Sequence, residues 1–403
     1  MGGCMKKVYI LGACRTPIGK MGGALASVSA VELGSIVIKE ALERSKVPAE
    51  QVNHVFMGCV IQAGLGQNVA RQAALKAGLP VTTTAQTVNI VCGSGLDSVN
   101  SAARMIQAED ADIVIAGGME SMSKAPFAMM EGRYGYRMGS PMMNTPLVDT
   151  MVNDALWDAV NNYHMGITAE NVAEKFSITR EKLDEFAANS QQKASAAIQA
   201  GLFKDEIVPV VIKGRKGDTI VDTDEGPRPG TTVESLARLK PAFKSDGIVT
   251  AGNSSGINDG AAAVILVSED KVKELGLEPQ AEWLGGALGG VDPAIMGVGP
   301  VASTQKLLKK LDMTMDDIDL IEANEAFAAQ SIAVKRDLAL SEDKLNVNGG
   351  AIALGHPVGA SGCRILVTLI YAMKQKNAHT GLATLCIGGG MGCSTIISSI
   401  KTM

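Results

Sequence analysis

The chain has 403 residues, enough for two or three domains, and its 46% hydrophobic and 20% charged residues exclude disorder by composition. A net charge of −5, with Lys and Arg scattered along the chain, excludes nucleic acid as the main partner, because phosphate binding needs a concentrated basic surface. Seven cysteines without a CxxC pair or regular spacing exclude a disulfide framework and a zinc ribbon, so reduced, mostly buried thiols, no metal and a cytoplasmic location are expected.

In chain order, Met1–Gly2–Gly3–Cys4 reads as a prefix before a start at Met5, and Lys6 breaks the myristoylation pattern. Val8 to Leu11 is too short for a signal core ahead of Cys14. Val88–Asn89 then ends a strand, and a helix opens at Ser94–Gly95 with Leu96, Val99, Ala102, Ala103 and Ile106 on one side. A strand through Ile115 to Met119 follows. The same order returns far downstream as Val347–Asn348, Ser361–Gly362, an apolar helix, and Ile387 to Met391. Slowly drifting spacing between the copies is what a duplicated unit with loop insertions gives, each unit predicting strand, loop, helix, strand.

The helix after Ser361 is apolar on nearly every side (Cys363, Ile365, Leu366, Val367, Leu369, Ile370, Ala372, Met373) and must be covered all round. Two βαβ halves with helices meeting in the centre, flanked by two sheets and outer helices, satisfy both patterns. Between the halves come Met- and Gly-rich irregular segments (Met129 to Pro146), charged amphipathic helices (Ala169 to Phe176, Arg180 to Gly201) and a hairpin with Lys213–Gly214–Arg215–Lys216 at its exposed tip. The expected divisions are 1–119, completed by 250–270, an inserted lid or loop domain at 120–249, and 271–403. The uncharged run Asn377 to Ile400 carries Gly388–Gly389–Gly390, which predicts two buried strands and a glycine turn rather than a membrane span.

Four positions bear on chemistry. Cys92 lies between a strand and a helix start, where glycines allow a sharp turn and free N–H groups favour a thiolate. A buried structural cysteine is the commoner role for this residue type, and the elbow brings the two readings level. His356 occupies the matching loop of the second copy, and the positive helix end there is expected to keep it neutral. Cys386 ends a strand just before the triple glycine and is expected to face the same pocket, with core packing as the alternative. Asn324 ends the strand Ile318 to Ala323, where it orients a water or a carbonyl, or caps the next helix.

Together these segments resemble the thiolase family. The resemblance is carried by Arg15 to Gly19, the Cys92 elbow, His164 to Asn171, Thr250 to Gly260, Asn324 to Ala328, Gly355 to Gly362 and Cys386 to Gly392, which run in the family's order from end to end. It implies an α/β, duplicated five-layer αβαβα fold with an inserted loop domain and a two-step Claisen chemistry. Cys92, activated by His356, takes an acyl group from a coenzyme A (CoA) thioester. Cys386 acts as acid and base toward a second acetyl-CoA, which requires neighbours that lower its pKa. His356 and a water on Asn324 hold the enolate oxygen, and the N–H groups of Cys92 and Gly388 hold the acyl oxygen.

By the same resemblance Arg228 lies near the nucleotide end of CoA, with Ser255 and Ala251 along the pantetheine. Leu156, His164, Met165, Phe243, Met296 and Phe327 line the thioester end, though ordinary core is the alternative for the Met and Phe residues. His164–Met165–Gly166 points to the short-chain branch, which joins two acetyl-CoA into acetoacetyl-CoA and CoA. The resemblance also implies a homotetramer built as a dimer of dimers and no cofactor beyond the CoA of substrate and product. Ile90 departs from the family, whose members usually carry Lys there. Rival readings are a 3-ketoacyl-CoA thiolase of broader chain length and a non-catalytic CoA-binding assembly partner. A decarboxylating ketosynthase is disfavoured because His or Asn is expected where Cys386 stands.

Overall fold

Val8–Arg15 (β1) is buried on both faces, so it needs cover on both sides. The computed structural model, which describes residues 6–136, 144 and 146–400, supplies that cover. The expected prefix, Met1 to Cys4, and part of Met129 to Pro146 lie outside the described residues.

On the outer side of β1 lies Ala30–Ser45 (α1), fixed by a capping box in which Ser29 and Glu32 satisfy each other's backbone N–H. The first copy follows as His54–Gly58 (β2), Val69–Lys76 (α2), Thr84–Val88 (β3), Ser94–Gln107 (α3) and Ile113–Ser121 (β4). The insertion contributes Met165–Lys175 (α4) and Arg180–Gln199 (α5). Asn258–Ser268 (β5), Ala281–Gly290 (β6), Gly299–Leu311 (α6), Leu320–Ala323 (β7), Ala328–Asp337 (α7), Ala351–Leu354 (α8), Ser361–Lys376 (α9), Thr380–Ile387 (β8) and Met391–Ser399 (β9) complete the chain.

The layers follow from burial. Residues Ser361 to Met373 of α9 are all buried, and α9 and α3 share one apolar core with both halves of the sheet. A second core packs α1 and α2 outside β1, β4 and β5, and a third packs α6 and α7 outside β7, β8 and β9. The five layers are thus α, β, α, β, α. At the centre the helix starts touch backbone to backbone. A methyl at Gly95 stands 2.8 Å from Cys363 N, and one at Gly362 or Gly118 runs into the main chain of Leu96 or Gly359.

Two expectations need correction. The sheet halves are not separate, because the strand order is β7-β8-β9-β6-β1-β5-β4-β2-β3, with Gly19–Lys20 attached to β5. The joint is antiparallel pairing of Val8–Ile10 with Ala281–Trp283. Those strands are buried at the joint, where unpaired edge groups would lack partners. The second copy also lacks the strand expected at Val347–Asn348. Only Leu345 makes a parallel bridge, to Ile321. There the Asn346 side chain replaces the ladder, its Oδ1 accepting from Ala323 N (2.9 Å) and its Nδ2 donating to Ala323 O (2.9 Å).

The insertion leaves and returns at neighbouring points, since Ser121 pairs with Asp259. It is anchored by the fully buried Arg15, which bonds Glu206 (2.5 Å) and Asp224 (2.7 and 2.9 Å). Its hairpin pairs Val210–Ile212 with Thr219–Val221, and the basic tip is exposed. The triple glycine joins β8 to β9, with Gly389 at φ +87° and Gly390 at φ +88°. No helix among the described residues is long and apolar enough to cross a membrane.

Candidate active site

The turn before α3 places Cys92. Val91 adopts φ +51°, a strained conformation for a β-branched residue, of the kind that costs on the order of 1–3 kcal/mol. Ser94 holds the turn by accepting from Ile90 N (3.0 Å) and donating to Val91 O (2.6 Å). The six described cysteines are free, and Cys92 is the partly accessible one while the other five are buried. Accessibility therefore singles out the thiol at the elbow.

His356 arrives from the other half. Its backbone N–H donates to Asn258 Oδ1 (2.9 Å), and its Nε2 stands 3.3 Å from Cys92 Sγ. The Ser361 hydroxyl donates to Pro357 O (2.9 Å) and lies 2.5 Å from His356 Nδ1. A hydroxyl whose proton is already committed accepts from Nδ1–H, which leaves the Nε2 lone pair facing the thiol. Asn324 Nδ2 lies 3.4 Å from the same Nδ1, and Asn324 Oδ1 is buried without a hydrogen-bond partner among the described residues. That acceptor is free for a water proton.

Electrostatics make the resting pair neutral. Burial pushes the Cys92 thiol up to about 11, against the pull of the Gly388 and Cys92 backbone N–H groups on its sulfur. His356 is lowered to about 4, first by burial and then by the Arg364 charge. The neutrality expected of His356 is present, but its main cause is burial rather than the helix end. The thiolate expected at Cys92 is not the resting form. Cys386 is fully buried and close enough for Cys92 to act on its titration. Its thiol is raised by burial, and then by Cys92, where the acid–base role was expected to need lowering.

The remaining residues fall into two groups. Met165, Met296, Phe327 and Cys386 share one buried apolar cluster, with Phe243 packed against it. His164 stacks on Phe243 at 4.7 Å, and Phe243 meets Phe327 edge-on at 6.1 Å. The Met165 sulfur and methyl lie 3.6 Å from where a side chain would begin at Gly388, so they border the glycine expected to hold the acyl oxygen. Leu156 packs with Cys92 and Val91 against a different cluster. Arg228 is exposed, with its backbone N–H on Gln191 Oε1 (2.8 Å) and no carboxylate partner among the described residues. Ala251 is exposed, and Ser255 is half-buried with its N–H on Ala326 O (3.0 Å).

Sequence reasoning missed the groups that hold the site. Ser361 and Asn258 were visible only as parts of motifs. Glu120 is fully buried, and its carboxylate accepts from Val60 N (3.0 Å), Ile61 N (3.2 Å) and Gly359 N (2.8 Å), tying loops of both halves together. Burial raises its pKa to about 7 despite these donors. Glu325 similarly joins Ser190 of α5 (2.6 Å), Asn346 (2.8 Å) and Ile352 N (3.2 Å). The signal for Glu120 is an acid one residue past the glycine pair Gly117–Gly118; for Glu325 it is an acid set among the apolar residues of the Asn324 to Ala328 stretch.

Residues 8–270 match the family description "Thiolase, N-terminal domain" and residues 277–399 match "Thiolase, C-terminal domain". The chain is 57% identical over 397 residues to an acetyl-CoA acetyltransferase of Syntrophomonas wolfei, covering 98% of this chain and 100% of that one. Its structure is similar to the crystal structure of the Bacillus anthracis acetyl-CoA acetyltransferase (TM-score 0.95, 45% identity, 98% and 99% of the two chains). It is also similar to human mitochondrial 3-ketoacyl-CoA thiolase (TM-score 0.95, 43% identity, 99% and 100%).

Proposed function

The chain belongs to the thiolase family, and from that premise we infer that it is an acetyl-CoA C-acetyltransferase, reversibly joining two acetyl-CoA into acetoacetyl-CoA and CoA. The observation that carries this reading is the 3.3 Å approach of His356 Nε2 to Cys92 Sγ. In the first step Sγ bonds the acetyl carbonyl carbon and its proton passes to His356 Nε2. The backbone N–H groups of Cys92 and Gly388 take the oxygen charge. The carbon–sulfur bond to CoA breaks, and the departing CoA sulfur takes the proton of Cys386.

That transfer leaves a Cys386 thiolate whose burial makes it strongly basic, so the raised pKa favours the second step rather than opposing it. The thiolate removes a methyl proton from the second acetyl-CoA. Protonated His356 and a water held by Asn324 Oδ1 stabilise the enolate oxygen. The enolate carbon attacks the acetyl group, and Cys92 leaves and recovers its proton from His356. Both thiols and the imidazole return to their starting state, so the route closes on the chain's own groups without a metal or redox cofactor. Arg228, Ser255 and Ala251 are proposed to meet the CoA tail, Arg228 as a free surface cation suited to phosphate.

The packing of Met165, Phe243 and Phe327 in one cluster with Cys386 supports a short acyl pocket. The test is initial thiolysis rate against chain length. Acetoacetyl-CoA should exceed six-carbon and longer 3-ketoacyl-CoAs in kcat/KM by about tenfold or more, since overfilling a close-packed site typically costs about 1–3 kcal/mol. Equal or rising rates with length would instead support the broader 3-ketoacyl-CoA reading, which the likeness to the human enzyme favours.

We further propose a homotetramer. Exposed Phe127, Met130, Tyr134 and Leu147 crowd one stretch of the insertion, and β3 ends the sheet with a single strand partner. Light scattering should give about four times the 41.8 kDa chain mass, and a monomer mass at working concentration overturns the proposal. A cytoplasmic location suits a free catalytic thiol; recovery of the activity in a membrane fraction would contradict it.

A further inference from the structure

The loop that carries His356 lies across one face of the first copy's strands. Glu120 of β4 pairs with Gly260 of β5, so Gly118, Glu120, Asn258 and Gly260 share that face. Asn258 Oδ1 accepts from His356 N (2.9 Å), and Glu120 Oε2 accepts from Gly359 N (2.8 Å). The two glycines leave room for the chain between these contacts. A methyl at Gly260 would stand 3.2 Å from the Pro357 ring, and one at Gly118 would run into Gly359 O. The loop is itself a closed turn, since Pro357 O accepts from Ala360 N (3.0 Å), Ser361 N (2.9 Å) and the Ser361 hydroxyl (2.9 Å). That hydroxyl is the one lying 2.5 Å from His356 Nδ1.

Glu120 reaches the nucleophile's side as well. Its Oε2 also accepts from Val60 N (3.0 Å), its Oε1 accepts from Ile61 N (3.2 Å), and Cys59 Sγ lies 3.7 Å from Oε1. Val60, Ile61 and Val358 belong to one buried cluster against which Val91 and Cys92 pack. Every one of these partners is a donor, which suits an acceptor-only carboxylate. A single fully buried side chain thus holds both the turn behind the imidazole and the wall behind the thiol.

We propose that Glu120 is a positioning residue for the thiol–imidazole pair, its carboxylate clamping the His356 loop to the Val60–Ile61 wall of Cys92. The inference rests on the thiolase reading of the site and adds a residue to it. Without the acceptor, the Pro357–Ser361 turn is held at its Asn258 end alone and tilts, which alters the approach of Nε2 to Sγ. A misplacement of about 1 Å in a reacting pair costs on the order of a hundredfold in rate. The charge of Glu120 acts on the thiol in the opposite sense, because a negative neighbour disfavours the thiolate. Position and charge therefore predict opposite signs when the carboxylate is removed.

The test is the rate of Cys92 alkylation by iodoacetamide at pH 8, where Glu120 is largely ionised, on the full-length protein. Glu120→Met removes every acceptor at similar volume and should slow alkylation by about tenfold or more. Glu120→Gln, the milder change, must turn its amide N–H groups toward one pair of donors and should slow alkylation by about threefold. In either case a folded variant that reacts at the wild-type rate, or faster as loss of the charge alone would give, overturns the proposal. The effect must also pass through the imidazole. In a His356→Asn background the same Glu120 substitution should change the rate by less than about twofold, and an undiminished effect there overturns the proposal. Alkylation needs no acyl substrate, so a wild-type protein that failed to cleave acetoacetyl-CoA would count against the enzymatic reading alone.

Discussion

Cys92→Ala is expected to abolish turnover, with kcat/KM for acetoacetyl-CoA thiolysis falling on the order of 10⁴-fold or more while the protein stays folded. The size follows from the role: a covalent nucleophile has no substitute in the site, and removing one member of such a unit costs nearly as much as removing all of it. Folding should survive because Cys92 is partly accessible and the turn is held by Ser94, not by the thiol. Brief exposure of wild type to acetyl-CoA should put one acetyl group on Cys92 by peptide mass spectrometry, and none on the variant. An adduct elsewhere, or turnover within tenfold of wild type, would remove Cys92 from the mechanism. A wild-type chain that takes no label would restore the non-catalytic assembly reading.

Cys386→Ala separates the two half-reactions. The variant should still form the acetyl-enzyme, since Cys92, His356 and the Gly388 N–H are untouched, but more slowly, because the departing CoA sulfur loses its proton donor. Condensation should fall by about 10²- to 10⁴-fold, the span usual for a lost general base. The sharper readout is exchange of the acetyl-CoA methyl hydrogens in deuterated water, which reports proton removal without bond formation. Exchange at the wild-type rate in this variant would assign the base to another group. Because the buried thiol is raised rather than lowered, the exchange should also depend on prior acylation. Only the departing CoA sulfur creates the thiolate.

Much of this was readable before any coordinates. The Cys92 and His356 loops were recognisable because each sits where an apolar strand gives way to a helix, a local pattern. The apolar surface all round α9 announced a central helix, since no exposed helix tolerates Ile365 on one side with Cys363 and Val367 on the other. What escaped was whatever depends on partners distant in the chain. The joint between Val8–Ile10 and Ala281–Trp283 leaves no periodicity of its own. Nor does a side chain standing in for a strand, as Asn346 does at Ala323. The triad of Arg15, Glu206 and Asp224 was invisible because single charged residues look solvent-facing until burial is known. The protonation states went astray for the same reason. Helix ends can be located from sequence, but the burial that dominates Cys92, His356 and Cys386 cannot.

The glycines where α3 meets α9 set a limit on how this catalyst can vary. Because Gly95, Gly118 and Gly362 let one main chain rest directly on another, the spacing between the Cys92 sulfur and the His356 imidazole is set by contact between backbones rather than by the girth of intervening side chains. Substitutions in the outer cores can therefore accumulate without altering the reach from one loop to the other. Tolerance at the periphery and rigidity at the centre come from the same absent methyl groups.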